Sequence, residues 1–186
     1  MQLIADRYGS KKGFLHSCTS QLNLALGGYR QERAIDWSNV KRLIFICQGN
    51  ICRSPFAEAL AKRAQIETLS FGLNTTDSLP ANPRAIRFSQ QFAIDLTPHK
   101  TTRMEHYVAQ PHDLVIAMEP LHLTQLKTAY PCYEGMPKTL LGLWAKSPQP
   151  YLHDPFNAND GYFNHCYSLI VDAVTQINRH LAKQDG

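Results

Sequence analysis

The chain has few cysteines, and their arrangement excludes a disulfide scaffold and the common zinc motifs. Only five occur in 186 residues, at positions 18, 47, 52, 132 and 166. They form neither an even set nor a pair of Cys-x-x-Cys motifs. Unpaired thiols are typical of a reducing compartment. We therefore expect a cytoplasmic protein, and we predict no metal site and no cofactor.

Long apolar runs and a strong charge bias are also missing. No window approaches the roughly 18 apolar residues that a membrane-spanning helix needs, and the first residues lack the apolar core and cleavage site of a signal peptide. The net charge at pH 7 is +4, from 19 basic and 15 acidic residues. This mild excess favours an anionic substrate but is too small for a nucleic-acid-binding surface. We expect a soluble protein that binds neither membranes nor nucleic acid.

The most informative stretch is residues 42–55, Arg-Leu-Ile-Phe-Ile-Cys-Gln-Gly-Asn-Ile-Cys-Arg-Ser-Pro. Residues 43–46 are apolar and predict a buried strand, and residues 55–64 predict a helix that begins with proline. The loop between them points backbone N–H groups and the positive end of a helix dipole at one spot. It has neither Gly-Lys-Ser/Thr nor a spaced glycine fingerprint, so it is not a common nucleotide-binding loop. The stretch therefore predicts an anion-binding site.

Two side chains at the ends of this loop predict its chemistry. The positive field favours the thiolate form of Cys47, which makes this residue a nucleophile. Arg53 follows six residues later, and its guanidinium group can bind two oxygens of a phosphate. Together they predict nucleophilic attack on phosphorus. The alternative, a buried cysteine at a strand end, leaves the ordered run of small and polar residues unexplained.

The order of residues in this loop resembles a known phosphate-binding loop. In sequence they are Cys47, Gly49, Asn50, Cys52, Arg53, Ser54 and Pro55. This order resembles the phosphate loop of the low-molecular-weight protein tyrosine phosphatases. The resemblance implies hydrolysis of a phosphorylated protein, above all protein phosphotyrosine, or of a small phosphoester, through a phosphocysteine intermediate. It also implies that the phosphate is bound by Gln48, Gly49, Asn50, Ile51, Cys52 and Ser54.

Asp154 is the best candidate for a general acid. Displacing a phenolate or alkoxide needs an acid for the leaving oxygen and then a base for water, and one carboxyl group can do both. Residues 151–156, Tyr-Leu-His-Asp-Pro-Phe, form a proline-stiffened segment after the last predicted strand. This segment resembles the Asp-Pro motif of the family, whose aspartate is the general acid. The alternative is an Asp-Pro turn without chemistry.

Supporting roles follow from the resemblance alone. Ser54 would donate a hydrogen bond to the sulfur of Cys47 and make it a better leaving group. Asn50 would hold the loop in a left-handed turn, which asparagine tolerates. Ser70 and His99 match family positions that brace this asparagine, although a lone histidine at such a position is often a cap or a surface residue.

The substrate rim departs from the family pattern. The family usually has one or two tyrosines after Asp-Pro, and this chain has Phe156 and Asn157 there. Phe156 is expected to stack on a substrate ring. The opposite wall is commonly aromatic, whereas residues 73–77 contain no aromatic side chain. Phosphotyrosine specificity is therefore less firmly predicted than the chemistry.

The remaining chain alternates strands and helices, which predicts an α/β fold. We expect a single doubly wound domain with a central four-stranded parallel sheet flanked by helices, plus an N-terminal helical extension. The strands are predicted at residues 43–46, 66–72, 113–118 and 138–144. The helices of the domain are predicted at residues 55–64, 83–92, 97–108, 119–128 and 161–183.

Residues 1–40 are extra relative to the family and form the predicted extension, and residues 41–186 form the catalytic domain. Helical spacing of apolar residues, ended by Gly27 and Gly28, predicts one helix in this extension. The apolar face consists of Phe14, Leu15, Cys18, Leu22 and Leu26. We expect this face to dock on the catalytic domain; pairing with another subunit or a partner protein is the alternative. A monomer or weak dimer is predicted.

Two other functions remain open. Arsenate reductases share the fold and the loop, but they need a close pair of further cysteines. Beyond Cys52, this chain has only Cys132 and Cys166, which are far apart in sequence. A non-catalytic phosphate-binding module is the third hypothesis, although the nucleophile, the arginine and the acid are all present. Cys52 could also form a reversible disulfide with Cys47, or it could serve only in packing.

Overall fold

A computed structural model describes residues 2–183 and contains one four-stranded sheet. All strand pairs are parallel, and the strand order is β2-β1-β3-β4. The strands are β1 (Arg42–Cys47), β2 (Glu67–Gly72), β3 (Asp113–Ala117) and β4 (Lys138–Leu140). The doubly wound parallel sheet predicted from the sequence is confirmed. Within residues 2–183, no helix is both long and apolar enough to span a bilayer.

Helices cover both faces of the sheet. One face carries α4 (Arg53–Lys62), α5 (Pro83–Ser89) and α7 (Asp160–Ala182), and the other carries α6 (Pro120–Ala129). Strand β1 is buried along its whole length, as a central parallel strand should be. Its side chains alternate between two apolar clusters, with Leu43 and Phe45 in the first and Ile44 and Ile46 in the second. The core therefore lies in two layers around β1.

The carboxyl ends of three strands meet at one edge of the sheet. Cys47 is the last residue of β1, Glu119 follows β3, and Asp154 lies in the irregular segment after β4. In doubly wound folds, ligands bind at this edge, beyond the strand ends. The topology therefore brings the predicted nucleophile and the predicted acid to the same edge.

Residues 97–108 do not form the predicted helix. Within this stretch, only Met104–His106 makes a single 3₁₀ turn. Residues 97 and 98 form a turn, and two later residues make isolated bridges, Lys100 with Pro80 and Arg103 with Gly72. Helical geometry would break these long-range pairs, so tertiary contacts override the local propensity.

The last strand is shorter than predicted. Strand β4 ends at Leu140, and Leu141–Trp144 form a 3₁₀ turn. At Gly142 the backbone passes so close to Gln149 that a Cβ atom would lie 1.8 Å from the Gln149 carbonyl oxygen. The N–H of Gln149 donates to the carbonyl of Gly142 at 2.7 Å. The chain must therefore turn here, and it enters the segment that contains Asp154.

The N-terminal region is helical, but its predicted docking face is wrong. It contains α1 (Gln2–Tyr8), α2 (Lys11–Ala25) and a short α3 (Arg30–Arg33). The apolar side chains of α2 that were expected to be buried are exposed: Phe14, Leu15, Cys18, Leu22 and Leu26. The buried positions are small, Gly13, Ser17 and Ser20. Small residues let the helix backbone approach the domain closely, and apolar spacing alone cannot reveal such packing.

Candidate active site

The loop between β1 and α4 surrounds the sulfur of Cys47. This residue is almost fully buried, at 2% exposed. The backbone N–H of Asn50 donates to its Sγ at 3.3 Å, and Ser54 Oγ lies 3.0 Å from the same sulfur. The loop runs directly into the first turn of α4, where the helix dipole is positive. The sulfur therefore sits where an anion is stabilised.

Asn50 holds the loop in shape from inside the protein. It adopts a left-handed conformation with φ of 52° and is fully buried. Its side-chain amide donates to Ser54 Oγ at 2.9 Å and to Ser70 Oγ at 2.8 Å. Its side-chain oxygen accepts from the N–H of Thr102 at 2.9 Å. The loop is thus tied to β2 and to the extended segment that follows α5.

His99 also contacts Asn50. Its Nε2 atom lies 2.7 Å from the Asn50 carbonyl oxygen, and since a carbonyl only accepts, Nε2 carries the proton. Burial keeps the pKa of His99 below its usual value, so the ring is neutral near pH 7. Ser54 Oγ accepts from Asn50, which leaves the Ser54 hydrogen available for Cys47. The geometry suits the roles that the family resemblance implies for Ser54, Ser70 and His99.

Arg53 lies beneath the loop and is 1% exposed. Its Nη1 donates to Glu119 Oε1 and to the carbonyl oxygen of Leu152, both at 2.7 Å, and its Nη2 pairs with Asp154 Oδ2 at 2.8 Å. Burial by itself would lower the pKa of Arg53, but the carboxylates of Asp154 and Glu119 outweigh it and raise the pKa well above the usual value. The guanidinium group is permanently charged.

One edge of this guanidinium group is available for a ligand. The Nε atom is buried and has no hydrogen-bond partner among the residues that the structure describes. Within residues 2–183, the adjacent Nη2 pairs only with Asp154. A buried charged donor without a partner is costly, so this N–H group is available to bind an anionic ligand. Parallel Nε–H and Nη2–H bonds match two oxygens of a phosphate.

Asp154 lies at the mouth of the site, and its side chain is 40% exposed. Its Oδ1 accepts the backbone N–H of Phe156 at 3.0 Å, which fixes the carboxyl group within its own turn. Its Oδ2 pairs with Arg53. The carboxyl group is therefore oriented from two sides and faces the same guanidinium edge that a phosphate would use.

These groups line a cavity of about 340 Å³, a volume within the usual range for small-molecule sites. The lining residues are Cys47, Gln48, Gly49, Ile51, Cys52, Arg53, His153, Asp154, Phe156 and Asn157. Residues 73–77, expected as the opposite wall, are not among them. Asp77 bonds to Arg103 and His106, which holds this segment to the side. Ile51 and Gln48 occupy the rim instead.

Cys52 lies in the same loop as Cys47 but in a different environment. It is buried, and burial, followed by the nearby Asp154 and Cys47, raises the pKa of its thiol well above the usual value. Its carbonyl oxygen accepts from the hydroxyl of Tyr167 at 3.0 Å. Both cysteines are free in this structure. A disulfide between them stays a prediction.

The site contains four residues that the sequence reasoning missed. Glu119 orients Arg53, and His122 Nε2 lies 3.3 Å from the same Glu119 oxygen. Tyr151 and His153 hydrogen-bond to each other at 2.9 Å, next to Asp154 in the chain. Glu119 lies two residues after the end of β3, at the ligand-binding edge of the sheet, and this position could have identified it.

Comparison with known proteins places the chain in a family. A model of the family described as low molecular weight phosphotyrosine protein phosphatase matches residues 42–185. The chain belongs to this family. Its members are cysteine-dependent phosphatases, and the match begins at β1, so α1, α2 and α3 lie outside it.

Curated relatives are bacterial phosphatases of this family. The low molecular weight protein-tyrosine-phosphatase Etp of Escherichia coli K12 is 28% identical over 144 residues, which are 76% of this chain and 95% of Etp. The phosphatase Ptp of Acinetobacter johnsonii is 29% identical over 146 residues, which are 76% of this chain and 98% of Ptp. Both relatives are aligned with this chain over almost their whole length.

Solved structures show the same fold. The tyrosine phosphatase Wzb from Escherichia coli K30, in complex with sulphate, superposes with a TM-score of 0.67 at 29% identity over 76% of this chain and 99% of Wzb. The YwlE arginine phosphatase from Geobacillus stearothermophilus has a TM-score of 0.67 at 21% identity over 78% of this chain and 95% of YwlE. The second similarity shows the fold alone.

Proposed function

We propose that this phosphatase hydrolyses phosphotyrosine in proteins through a phosphocysteine intermediate at Cys47. One observation carries the proposal: the sulfur of Cys47, the edge of Arg53 whose Nε has no partner among the described residues, and the carboxyl group of Asp154 line one cavity. These are a nucleophile, a clamp for two phosphate oxygens and an acid for the leaving group.

In the first step, Cys47 Sγ attacks phosphorus and the bond to the leaving oxygen breaks. Asp154 gives its proton to that oxygen, so the product leaves as a neutral phenol. A bound phosphate takes the place of Asp154 on the Nε and Nη2 edge of Arg53.

In the second step, Asp154 accepts a proton from water, and the resulting hydroxide attacks phosphorus. The bond between phosphorus and Cys47 Sγ breaks, and the thiolate leaves with its electron pair. Ser54 stabilises this thiolate by donating from Oγ, which lies 3.0 Å from the sulfur. Inorganic phosphate is released, and both catalytic groups return to their first states.

The cavity favours a flat substrate that reaches deep into the protein. The sulfur is buried, so the phosphoester oxygen must enter past the rim formed by Phe156, Ile51 and Gln48. Phe156 is 50% exposed and presents its ring for stacking, which contributes on the order of 0.5–1.5 kcal/mol beyond burial. A phosphotyrosine ring can fill this rim, and a phosphoserine side chain is too short to do so. The relatives named as protein-tyrosine-phosphatases agree with this substrate class.

A comparison of substrates tests the assignment. We expect kcat/KM to be highest for a phosphotyrosyl peptide, by about tenfold or more over a phosphoseryl peptide and a small alkyl phosphate, a gap of roughly 1.4 kcal/mol. A phosphoarginyl peptide is included because of the fold shared with YwlE. Preference for any of these other substrates would overturn the phosphotyrosine assignment and leave the Cys47 mechanism standing.

The same assays distinguish the two remaining hypotheses. Oxidation of thioredoxin that depends on arsenate would identify an arsenate reductase. Binding of vanadate without turnover of any aryl phosphate would identify a non-catalytic phosphate-binding module. Either result would overturn the proposed function.

A further inference from the structure

The segment that contains Asp154 is hydrogen-bonded to N-terminal residues that lie outside the matched family region. Residues 145–159 connect the last 3₁₀ turn to α7 and contain no helix or strand. An irregular segment of this kind owes its shape to its side-chain contacts. Three of its residues, Pro148, His153 and Asn159, hydrogen-bond to side chains of α1 and α2 or the turn between them.

His153, the residue before the acid, is enclosed by the turn between α1 and α2. Its Nε2 lies 3.2 Å from Ser10 Oγ, and its Nδ1 lies 2.9 Å from the hydroxyl of Tyr151. A Cβ atom at Gly9 would lie 2.5 Å from His153 Cδ2, and one at Gly13 would lie 3.0 Å from it. Glycine at both positions is therefore needed for the turn to pack against this ring.

The protonation of this ring agrees with a fixed orientation. Ser10 Oγ accepts from the N–H of Gly13 at 2.9 Å, so its own hydrogen can point to His153 Nε2. Nδ1 then carries the ring proton and donates to Tyr151. Burial keeps the pKa of His153 below its usual value, which favours this neutral form. Both nitrogens have partners, and the ring cannot rotate without losing them.

A second contact fixes the backbone on the C-terminal side of Asp154. Asn159 Nδ2 donates to Asp6 Oδ1 at 2.7 Å, while Asn159 Oδ1 accepts from the N–H of Tyr162 and caps α7. Asp6 also lies over the start of α7, since a Cβ atom at Gly161 would be 2.7 Å from Asp6 Oδ1. A carboxylate is favoured at this end of a helix. Asp154 thus lies between two anchored residues, one before it and one five residues after it.

We propose that α1, α2 and the turn between them are a positioning element for the general acid, acting through His153 and Asn159. Asp6 and Ser10 are positioning residues in this account. The inference rests on the proposed function, because it requires Asp154 to be the acid. It assigns a role in catalysis to a part of the chain that lies outside the matched family region.

The test compares two leaving groups in the full-length protein. Asp6→Ala and Ser10→Ala each remove one anchor. We expect kcat/KM to fall about tenfold or more for phenyl phosphate, because a misplacement of about 1 Å can cost on the order of 10²-fold. The loss should be less than about twofold for 2,4-dinitrophenyl phosphate, whose leaving group needs little protonation. Both substrates are measured on the same preparation, so the ratio does not depend on the fraction of folded enzyme.

Three controls make the result specific. Asp6→Asn keeps an oxygen acceptor for Asn159 and should restore the wild-type ratio of the two substrates. Thr19→Ala removes a hydroxyl of α2 that bonds only to His16 of the same helix, and it should leave the ratio unchanged. In an Asp154→Ala background, Asp6→Ala should cause no further loss with phenyl phosphate, since the acid is already absent.

The outcomes separate this inference from the proposed function. Suppose that Asp154→Ala lowers kcat/KM mainly for phenyl phosphate, whereas Asp6→Ala and Ser10→Ala lower kcat/KM equally for both substrates or for neither. The positioning role is then wrong, and the assignment of Asp154 as the acid stands. A loss from Asp6→Ala that persists without Asp154 also overturns the positioning role. If Asp154→Ala affects both substrates equally, the acid assignment fails, and the positioning role fails with it.

Discussion

At the scale of single residues, Arg53 shows how a buried charge is prepared for a ligand. Burying a guanidinium group costs free energy, and for Arg53 the carboxylates of Asp154 and Glu119 outweigh that cost and keep the group charged. Glu119 and the Leu152 carbonyl hold Nη1, so the rest of the group cannot turn away from the cavity. Donors that are fixed before the substrate arrives stabilise the transition state without reorganisation. The contribution of Arg53 is therefore orientation as well as charge.

Arg53→Lys should lower kcat/KM for aryl phosphates by about 10²-fold, even though the positive charge is kept. A lysine cannot form two parallel hydrogen bonds to phosphate, and losing one bond to a charged group costs about 1.5–3 kcal/mol. Steady-state kinetics with a phosphotyrosyl peptide check this. Arg179→Lys, on the exposed face of α7, is the matched control and should keep wild-type activity. Near wild-type activity of Arg53→Lys would rule out a bidentate role.

At the scale of elements, the extended segment after α5 supports the phosphate loop. The N–H of Thr102 bonds to the Asn50 side chain, and His99 bonds to the Asn50 backbone. The strained φ of Asn50 is thereby held by contacts from a distant part of the sequence. The loop depends on this support as well as on β1 and α4.

Substitutions of Asn50 separate backbone strain from hydrogen bonding. Asn50→Ala should lower the free energy of unfolding by about 3 kcal/mol, because it leaves buried partners unsatisfied and places Cβ in a left-handed conformation. Asn50→Gly loses the same bonds without the steric cost and should be more stable than the alanine variant by about 1 kcal/mol. Urea denaturation measures both. If the free energy of unfolding of Asn50→Gly is equal to or lower than that of Asn50→Ala, the left-handed conformation at this position is not strained.

An element can be predicted from the sequence when the residues that determine its structure lie close together in the chain. Strand β1, the loop and α4 follow from adjacent residues, and the predictions for Cys47 and Arg53 were made from that same stretch. Residues 97–108 were predicted as a helix because their bonds to Asn50 cannot be seen locally. The docking face of α2 was missed because glycine and serine carry no apolar signal. Glu119 was missed because its partner, Arg53, is distant in sequence.

At the scale of the whole molecule, buried neutral histidines link stability to pH. Burial, with a smaller effect of Arg53, holds the pKa of His122 well below its usual value, and this residue is 1% exposed. Burial also lowers the pKa of His99, His153 and His165. Above about pH 6.5, such a histidine is neutral in both the folded and the unfolded state. Below it, the unfolded chain binds more protons, so stability falls as the pH falls.

His122→Gln should reduce this pH dependence. We expect the free energy of unfolding of the wild type to fall between pH 6.5 and pH 5, and the variant to show a shallower slope by up to about 1.4 kcal/mol per pH unit, the effect of one proton. Urea denaturation at a series of pH values provides the slopes. Equal slopes would mean that His122 already binds its proton in the folded protein.

In the proposed mechanism, the phosphoryl group is bound covalently to Cys47 before water releases it. Asp154→Ala should slow hydrolysis of the intermediate, because no base activates water, so this variant accumulates phosphocysteine with 2,4-dinitrophenyl phosphate as substrate. Acid quenching during turnover, followed by mass spectrometry of the peptides, measures this directly. We predict one phosphoryl group on the peptide that contains Cys47, and none when Cys47→Ser is added. Turnover with no labelled peptide, or with the label on another residue, would contradict the mechanism.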